Sequence, residues 1–67
     1  MIIFESIDGP LYVASASVEY IGPVFTLDHK ECRQLGLRSN AYWLILDTPE
    51  NVERALADIG KSDIKEK

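Results

Sequence analysis

Short hydrophobic runs alternate with turn-forming residues along the whole chain. The first run, residues 2–7, is rich in β-branched and aromatic residues and stops at Asp8–Gly9–Pro10, which is typical of a strand that ends in a turn. Residues 11–14 resume the extended pattern, and residues 24–27 do so again after Gly22–Pro23. The pattern predicts three strands here. We expect the first two to pair as a hairpin and the third to begin after a bend.

The segment from residue 28 to residue 36 permits two interpretations. Asp28 and Glu31 have the spacing of a capping box, so a short helix that ends near Gly36 is one of them. The alternation of leucine with polar residues around Gly36 favours the other, a loop through residue 33 followed by a strand over residues 34–38. We favour the second interpretation, in which this strand pairs with a strand over residues 42–46.

The C-terminal region has the signals of an amphipathic helix. Thr48 is a good N-cap, and Pro49 suits the first helical position, where its missing N–H costs nothing. Gly60 is the residue expected just after the last turn. The apolar stripe consists of Val52, Ala55, Leu56 and Ile59. We therefore predict a compact domain over residues 1–60 and a charged, mobile tail over residues 61–67.

Together these elements predict an α+β fold, a small, strongly bent, mainly antiparallel sheet of four to five strands with one C-terminal amphipathic helix. A single helix covers only one face of such a sheet, and we assign to it the face that carries Tyr42 and Leu44. The opposite face then presents an apolar patch, and soluble monomers rarely leave such a patch bare. The predicted patch consists of Ile3, Val24, Trp43 and Ile45. Either the sheet curls to enclose these residues or another protein chain covers them, and we favour the second.

Charge is distributed unevenly along the 67 residues, whose net charge is −4. The first 28 residues contain no lysine or arginine, and their acidic residues are Glu5, Asp8, Glu19 and Asp28. Nucleic-acid binding is disfavoured, because that affinity comes from basic side chains that neutralise phosphates. An acidic inhibitor or mimic that uses these four residues against a basic site on a nucleic-acid enzyme is the alternative function.

No strong catalytic, cofactor or metal motif is present. His29 and Cys32 form an H-x-x-C spacing, but a structural zinc site takes four ligands and the chain has one histidine and one cysteine. The lone cysteine is consistent with a reducing compartment, and neither a long apolar run nor a basic leader is present. These features predict a non-enzymatic, cytoplasmic protein without a cofactor.

The run LGLRSNAYWLILDTPENV, residues 35–52, resembles the end of small flagellar and swarming-motility proteins of the FlbD type and of other short bacterial or phage proteins. These proteins end in a strand, a turn, a strand, a helix cap and an amphipathic helix, and the resemblance implies the same order here. It departs from that pattern at Asn40–Ala41, which replaces the usual Asn-Gly. The function we predict is that of a bacterial or phage accessory protein that acts by protein–protein contact and self-associates.

Overall fold

The computed structural model describes residues 1–65, with side chains as far as Lys61. Over these residues the chain is an α+β domain, which confirms the predicted fold class. Its strands form two antiparallel sheets, β1-β2 and β3-β4-β5, and one helix follows them. The elements are β1 (Ile2–Ser6), β2 (Gly9–Val13), β3 (Val18–Leu27), β4 (Lys30–Leu37), β5 (Tyr42–Leu46) and α1 (Pro49–Lys65).

The predicted first hairpin is present, with Ile7 and Asp8 forming its turn between paired Ser6 and Gly9. Gly9 follows the turn with φ of +113°, a conformation that only glycine adopts readily. The Ser6 hydroxyl donates to the Gly9 carbonyl at 2.7 Å and accepts from the Asp8 N–H at 3.3 Å. The turn is therefore held by its own side chain.

The structure confirms the predicted pairing of a strand containing residues 34–36 with the strand over residues 42–46, and it corrects what precedes that strand. Leu27 pairs directly with Lys30, so β4 begins at Lys30, and the segment is neither a short helix nor a loop through residue 33. Asp28 and His29 form the two-residue turn, with φ of +55° and +65°. Positive φ at both positions is the type I′ geometry, which matches the twist of paired strands and usually selects Asn-Gly or Asp-Gly. Because histidine occupies the second position here, the sequence lacks the Asp-Gly pair that would have indicated this turn.

Strand β3 runs through Gly22–Pro23 instead of beginning after it, so the predicted bend is a β-bulge. The pairing with β4 shifts register between Ile21 and Val24. Proline is tolerated at a bulge because no ladder hydrogen bond is required of its nitrogen. The Arg33 guanidinium donates to the Gly22 carbonyl at 3.0 Å and pairs with Asp47 at 2.7 Å, so its charge fixes the bulge to the end of β5.

Helix α1 begins as predicted and ends later. The Thr48 hydroxyl accepts from the Asn51 N–H at 3.1 Å, which confirms the N-cap. The helix continues through Gly60 to Lys65, so the predicted end at Gly60 is wrong, because glycine weakens a helix without forcing it to stop. Glu66 and Lys67 of the predicted tail lie outside the described residues, and the mobility of the tail stays a prediction.

The buried side of α1 differs from the predicted apolar stripe. Leu56, assigned to that stripe, is 55% exposed, and two polar residues, Asn51 and Asp58, are buried instead. The Asn51 amide donates to the carbonyls of Glu5 (2.8 Å) and Leu46 (2.9 Å) and accepts from the Glu5 N–H (3.1 Å). It thereby joins β1 to the end of β5, two strands that do not pair with each other.

Asp58 holds a later turn of the helix. Its carboxylate accepts from the N–H groups of Ala16 (2.6 Å) and Val18 (2.9 Å), where the chain enters β3. Ala16 has φ of +67°, an uncommon conformation for alanine. Both buried polar residues on α1 therefore bind backbone, and they position the helix on the sheet. The apolar core around them is Phe4, Val13, Val18, Leu35, Ile45 and Ala55.

Candidate functional site

The two faces of β5 are reversed relative to the prediction. Ile45 is completely buried in the core with Ala55 of the helix, so it is not an exposed anchor. The helix covers the face that carries Ile45, whereas Tyr42, which we assigned to the helix, is 60% exposed. Alternation along the strand identifies the two sets correctly. The covered side is also the one on which Asn51 and Asp58 of α1 make their buried hydrogen bonds, which the apolar pattern does not reveal.

The other residues of the predicted patch lie on different elements. Ile3 is exposed on the outer face of the first hairpin, opposite Tyr12. Val24 is exposed beside the bulge, opposite Arg33. Trp43 is 51% exposed at the beginning of β5, opposite buried Leu35. Of the four predicted anchors, Trp43 is the one that lines the groove between the turns of the two hairpins.

This groove, which we call the turn groove, lies between the turns of the two hairpins and has a volume of about 540 Å³. Strand β5 contributes Trp43 and Leu44 to it, and the first hairpin contributes aliphatic side chains on the opposite wall. Its apolar lining consists of Ile7, Pro10, Leu11, Leu27, Trp43 and Leu44. The groove is thus lined mainly by apolar side chains and lies between the two hairpin turns.

Two of the four predicted acidic residues line the turn groove. Asp8 enters from the first turn and Asp28 from the second, although they are 20 positions apart in sequence. Among the described residues neither carboxylate has a hydrogen bond or an ion pair, and no lysine or arginine lines the groove. Glu5, on the outer face of β1, and Glu19, at the beginning of β3, do not line it.

Trp43 also borders a second, smaller groove of about 380 Å³. Leu11 lines both spaces, so the indole and this leucine form the ridge between them. The second groove contains Arg38 and no acidic side chain, whereas the turn groove contains two carboxylates and no basic side chain.

A second exposed surface, which we call the aromatic face, lies on the side of the three-stranded sheet that α1 does not cover. The pairing places Tyr20, Gly36 and Tyr42 in one row across β3, β4 and β5. The Tyr20 ring occupies the space above Gly36 that a Cβ would fill, and its hydroxyl accepts from the Gln34 amide at 2.6 Å. The aromatic face consists of Tyr20, Phe25, Gln34, Gly36 and Tyr42, none of them charged.

Sequence reasoning missed the aromatic face, although one signal was available. A glycine inside a strand often marks the close approach of another group, and Gly36 is such a residue because the Tyr20 ring lies directly on it. The predicted strand over residues 34–38 contains Gly36, so a side chain packed on this glycine could have been expected. The sequence could not identify that side chain as Tyr20, because the register of β3 depends on two bulges.

The structure separates His29 and Cys32, the two residues considered for metal binding. His29 is exposed in the second turn, whereas Cys32 is completely buried in β4. The Cys32 thiol donates to the Lys30 carbonyl at 3.7 Å. Within residues 1–61 no cluster of three or more histidine, cysteine, aspartate or glutamate side chains has a geometry suited to a metal ion.

No protein-family model, no curated protein and no solved structure matches this chain. The resemblance of residues 35–52 to motility proteins of the FlbD type therefore stays a prediction. In the described part of the chain, α1 is the one helix, and it is neither long enough nor apolar enough to cross a membrane.

Proposed function

We propose that this chain is a non-enzymatic accessory protein of bacterial or phage origin that acts by protein–protein contact and self-associates through the aromatic face. The observation that carries the proposal is the exposed row of Tyr20 and Tyr42 on either side of Gly36. The two rings are 43% and 60% exposed, and Phe25 extends the same face at 38% exposure. Tyrosine and phenylalanine are enriched in the cores of protein interfaces, where charged residues are depleted.

The absence of charge from the aromatic face permits a second copy as its occupant. Two molecules of net charge −4 repel each other, so a contact between them is most favourable where neither carries a charge. Along β4, the aromatic face is uncharged from Cys32 to Gly36. A two-fold contact places the same patch on both molecules, so a neutral apolar patch complements itself.

The small core provides a second argument. Small domains bury a low fraction of their surface and gain most from additional burial. Here many large hydrophobic side chains remain exposed, and those on the aromatic face share one side of a rigid sheet. A standard interface buries roughly 800 Å² on each partner, about a sixth of the 4564 Å² surface of this molecule.

The test is the molecular mass in solution, measured by light scattering across a concentration series. We expect the wild-type protein to have twice the 7.5 kDa mass of one chain. We expect Tyr42→Asp to be monomeric, because it places a carboxylate at the centre of the contact. Leu56→Asp is the matched control, since Leu56 is similarly exposed on the outer side of α1 and should leave the dimer intact.

A wild-type mass of one chain at every concentration would refute the proposed self-association. Equal loss of the dimer in Tyr42→Asp and Leu56→Asp would show that added negative charge, rather than the aromatic face, is responsible. Circular dichroism of all three proteins verifies that each is folded.

A further inference from the structure

We infer that the turn groove binds a lysine or arginine side chain, presented beside an apolar residue by a segment of a basic partner protein. None of the five residues that define the aromatic face lines the turn groove, although Leu44 of the groove pairs with Gln34 and lies on the same side of the sheet. The inference does not depend on self-association. The partner class follows from three features of the groove, namely its charge, its indole and its rigid turns.

The charge of the groove selects a cation. Asp8 and Asp28 approach from opposite turns, and neither carboxylate has a partner among the described residues. The absence of lysine and arginine from the lining leaves this negative charge without compensation. A cation that enters the groove is attracted to both carboxylates, whereas an anion or a nucleic-acid backbone is repelled.

The indole and the aliphatic wall select an organic cation with an apolar stem. Half of the Trp43 side chain is accessible, and a guanidinium or ammonium group over an indole is attracted by the ring. The methylene stems of arginine and lysine pack well on aliphatic side chains such as Ile7 and Leu11 while their charged ends reach polar groups. A neutral apolar ligand would fill the same space and leave both carboxylates without a partner.

The backbone of each turn that carries one of these aspartates is held in place before a ligand arrives. The first turn is fixed by the two hydrogen bonds of the Ser6 hydroxyl. The second is a two-residue turn, the tightest common hairpin connection. Little conformational entropy is lost when a ligand binds between two turns of this kind, and such preorganisation favours binding.

Trp43 is the sole tryptophan of the chain, so intrinsic fluorescence reports on the groove directly. The experiment titrates the full-length protein with acetyl-Leu-Arg-Leu-amide and with the same peptide carrying citrulline, which has the shape of arginine without its charge. We expect saturable quenching or a spectral shift with the arginine peptide. The citrulline peptide should bind about tenfold more weakly, the effect of losing two exposed ion pairs.

Charge-neutralising variants identify the groups responsible. Asp8→Asn and Asp28→Asn should each weaken binding of the arginine peptide about threefold and leave binding of the citrulline peptide unchanged. Glu19→Gln is the matched control, because it removes one negative charge from outside the groove. Raising the salt concentration from about 50 mM to about 500 mM should abolish most of the preference for arginine, because exposed pairs are screened.

Three results would overturn the inference. Equal affinities for the arginine and citrulline peptides would show that the groove does not recognise charge. An effect of Glu19→Gln as large as that of Asp8→Asn would assign the attraction to net charge. Absence of any fluorescence change would mean that the site does not bind the peptide. The titration measures the surroundings of Trp43 and light scattering measures mass, so this inference and the proposed self-association can fail separately.

Discussion

The two faces of the three-stranded sheet differ in how they are covered. On one face α1 is positioned by buried polar side chains, and Asn51 and Asp58 together make five hydrogen bonds to backbone groups of the strands and of the segment before β3. On the other face, the aromatic side chains Tyr20, Phe25 and Tyr42 remain exposed. Large apolar side chains lie on both faces, so hydrophobicity alone does not distinguish them. The buried polar contacts do, because Asn51 and Asp58 find their backbone partners on the covered side only.

The largest effect should come from removing the carboxylate on the covered face. Asp58→Ala leaves the N–H groups of Ala16 and Val18 without their acceptor and releases the unfavourable backbone of Ala16. We expect the free energy of unfolding to fall by about 3 kcal/mol, since hydrogen bonds to charged acceptors are the stronger ones and their buried donors would remain unsatisfied. Urea denaturation at fixed protein concentration measures this change.

Glu53→Ala is the control for that measurement, because Glu53 is exposed on the same helix and should change the stability by less than about 0.5 kcal/mol. Similar losses in the two variants would mean that α1 is held by its apolar contacts and that the buried carboxylate is dispensable.

An intermediate effect should come from the open face. In Gly36→Ala the new methyl group would collide with the Tyr20 ring, which must swing away and lose its hydrogen bond with Gln34. Because the ring is partly exposed and free to move outward, we expect a loss of about 1 kcal/mol, within the usual range for an overpacked site. Thermal denaturation gives the stability, and the NMR shifts of the Tyr20 ring protons report its displacement.

Gly60→Ala is the matched control for that substitution, since nothing lies near a Cβ at Gly60 and helix propensity alone predicts stabilisation. Unchanged Tyr20 shifts in Gly36→Ala would contradict the packing of the ring on the glycine.

The smallest effect should come from the turn that connects β3 and β4, the strands that carry most of the aromatic face. His29 has φ of +65°, and His29→Gly creates the Asp-Gly pair that type I′ turns prefer. We expect a gain of about 0.5–1 kcal/mol, because glycine relieves the left-handed strain. A urea midpoint that rises in His29→Gly and does not rise in Ser39→Gly would match this expectation. Ser39 is the control because it is a turn residue without positive φ. Equal shifts of the urea midpoint in both variants would refute the role of left-handed strain at His29.

Much of the fold was accessible from the sequence, and the turn that the prediction missed has a physical reason. The strand over residues 42–46, the N-cap at Thr48 and the first hairpin follow from local patterns, and the structure confirms them. The turn at Asp28–His29 was missed because it contains no glycine to indicate its positive φ angles. Strand pairing maintains its conformation instead. Local patterns report local preferences, whereas pairing across strands is decided by the whole sheet.

The candidate site was also predictable only in part, because local patterns identify residues and not their arrangement in space. Trp43 was identified from its place in an apolar strand, and Asp8 and Asp28 from the charge asymmetry of the first 28 residues. That these residues share one groove depends on how the two hairpins are placed relative to β5, which no spacing in the sequence encodes. Ile45 was misplaced because the polar residues Asn51 and Asp58 were not considered as buried contacts.

The long-range hydrogen bonds of α1 also constrain the order of folding. Glu5 is 46 residues from Asn51, and Ala16 is 42 residues from Asp58. The first strand and the entry to β3 therefore acquire these backbone partners only after the segment containing both helix residues has been synthesised. Closing such long loops is slow compared with forming a hairpin. During translation the backbone groups of Glu5, Ala16 and Val18 consequently lack their helix partners until α1 has been synthesised, and a chain truncated before Asn51 would never acquire them.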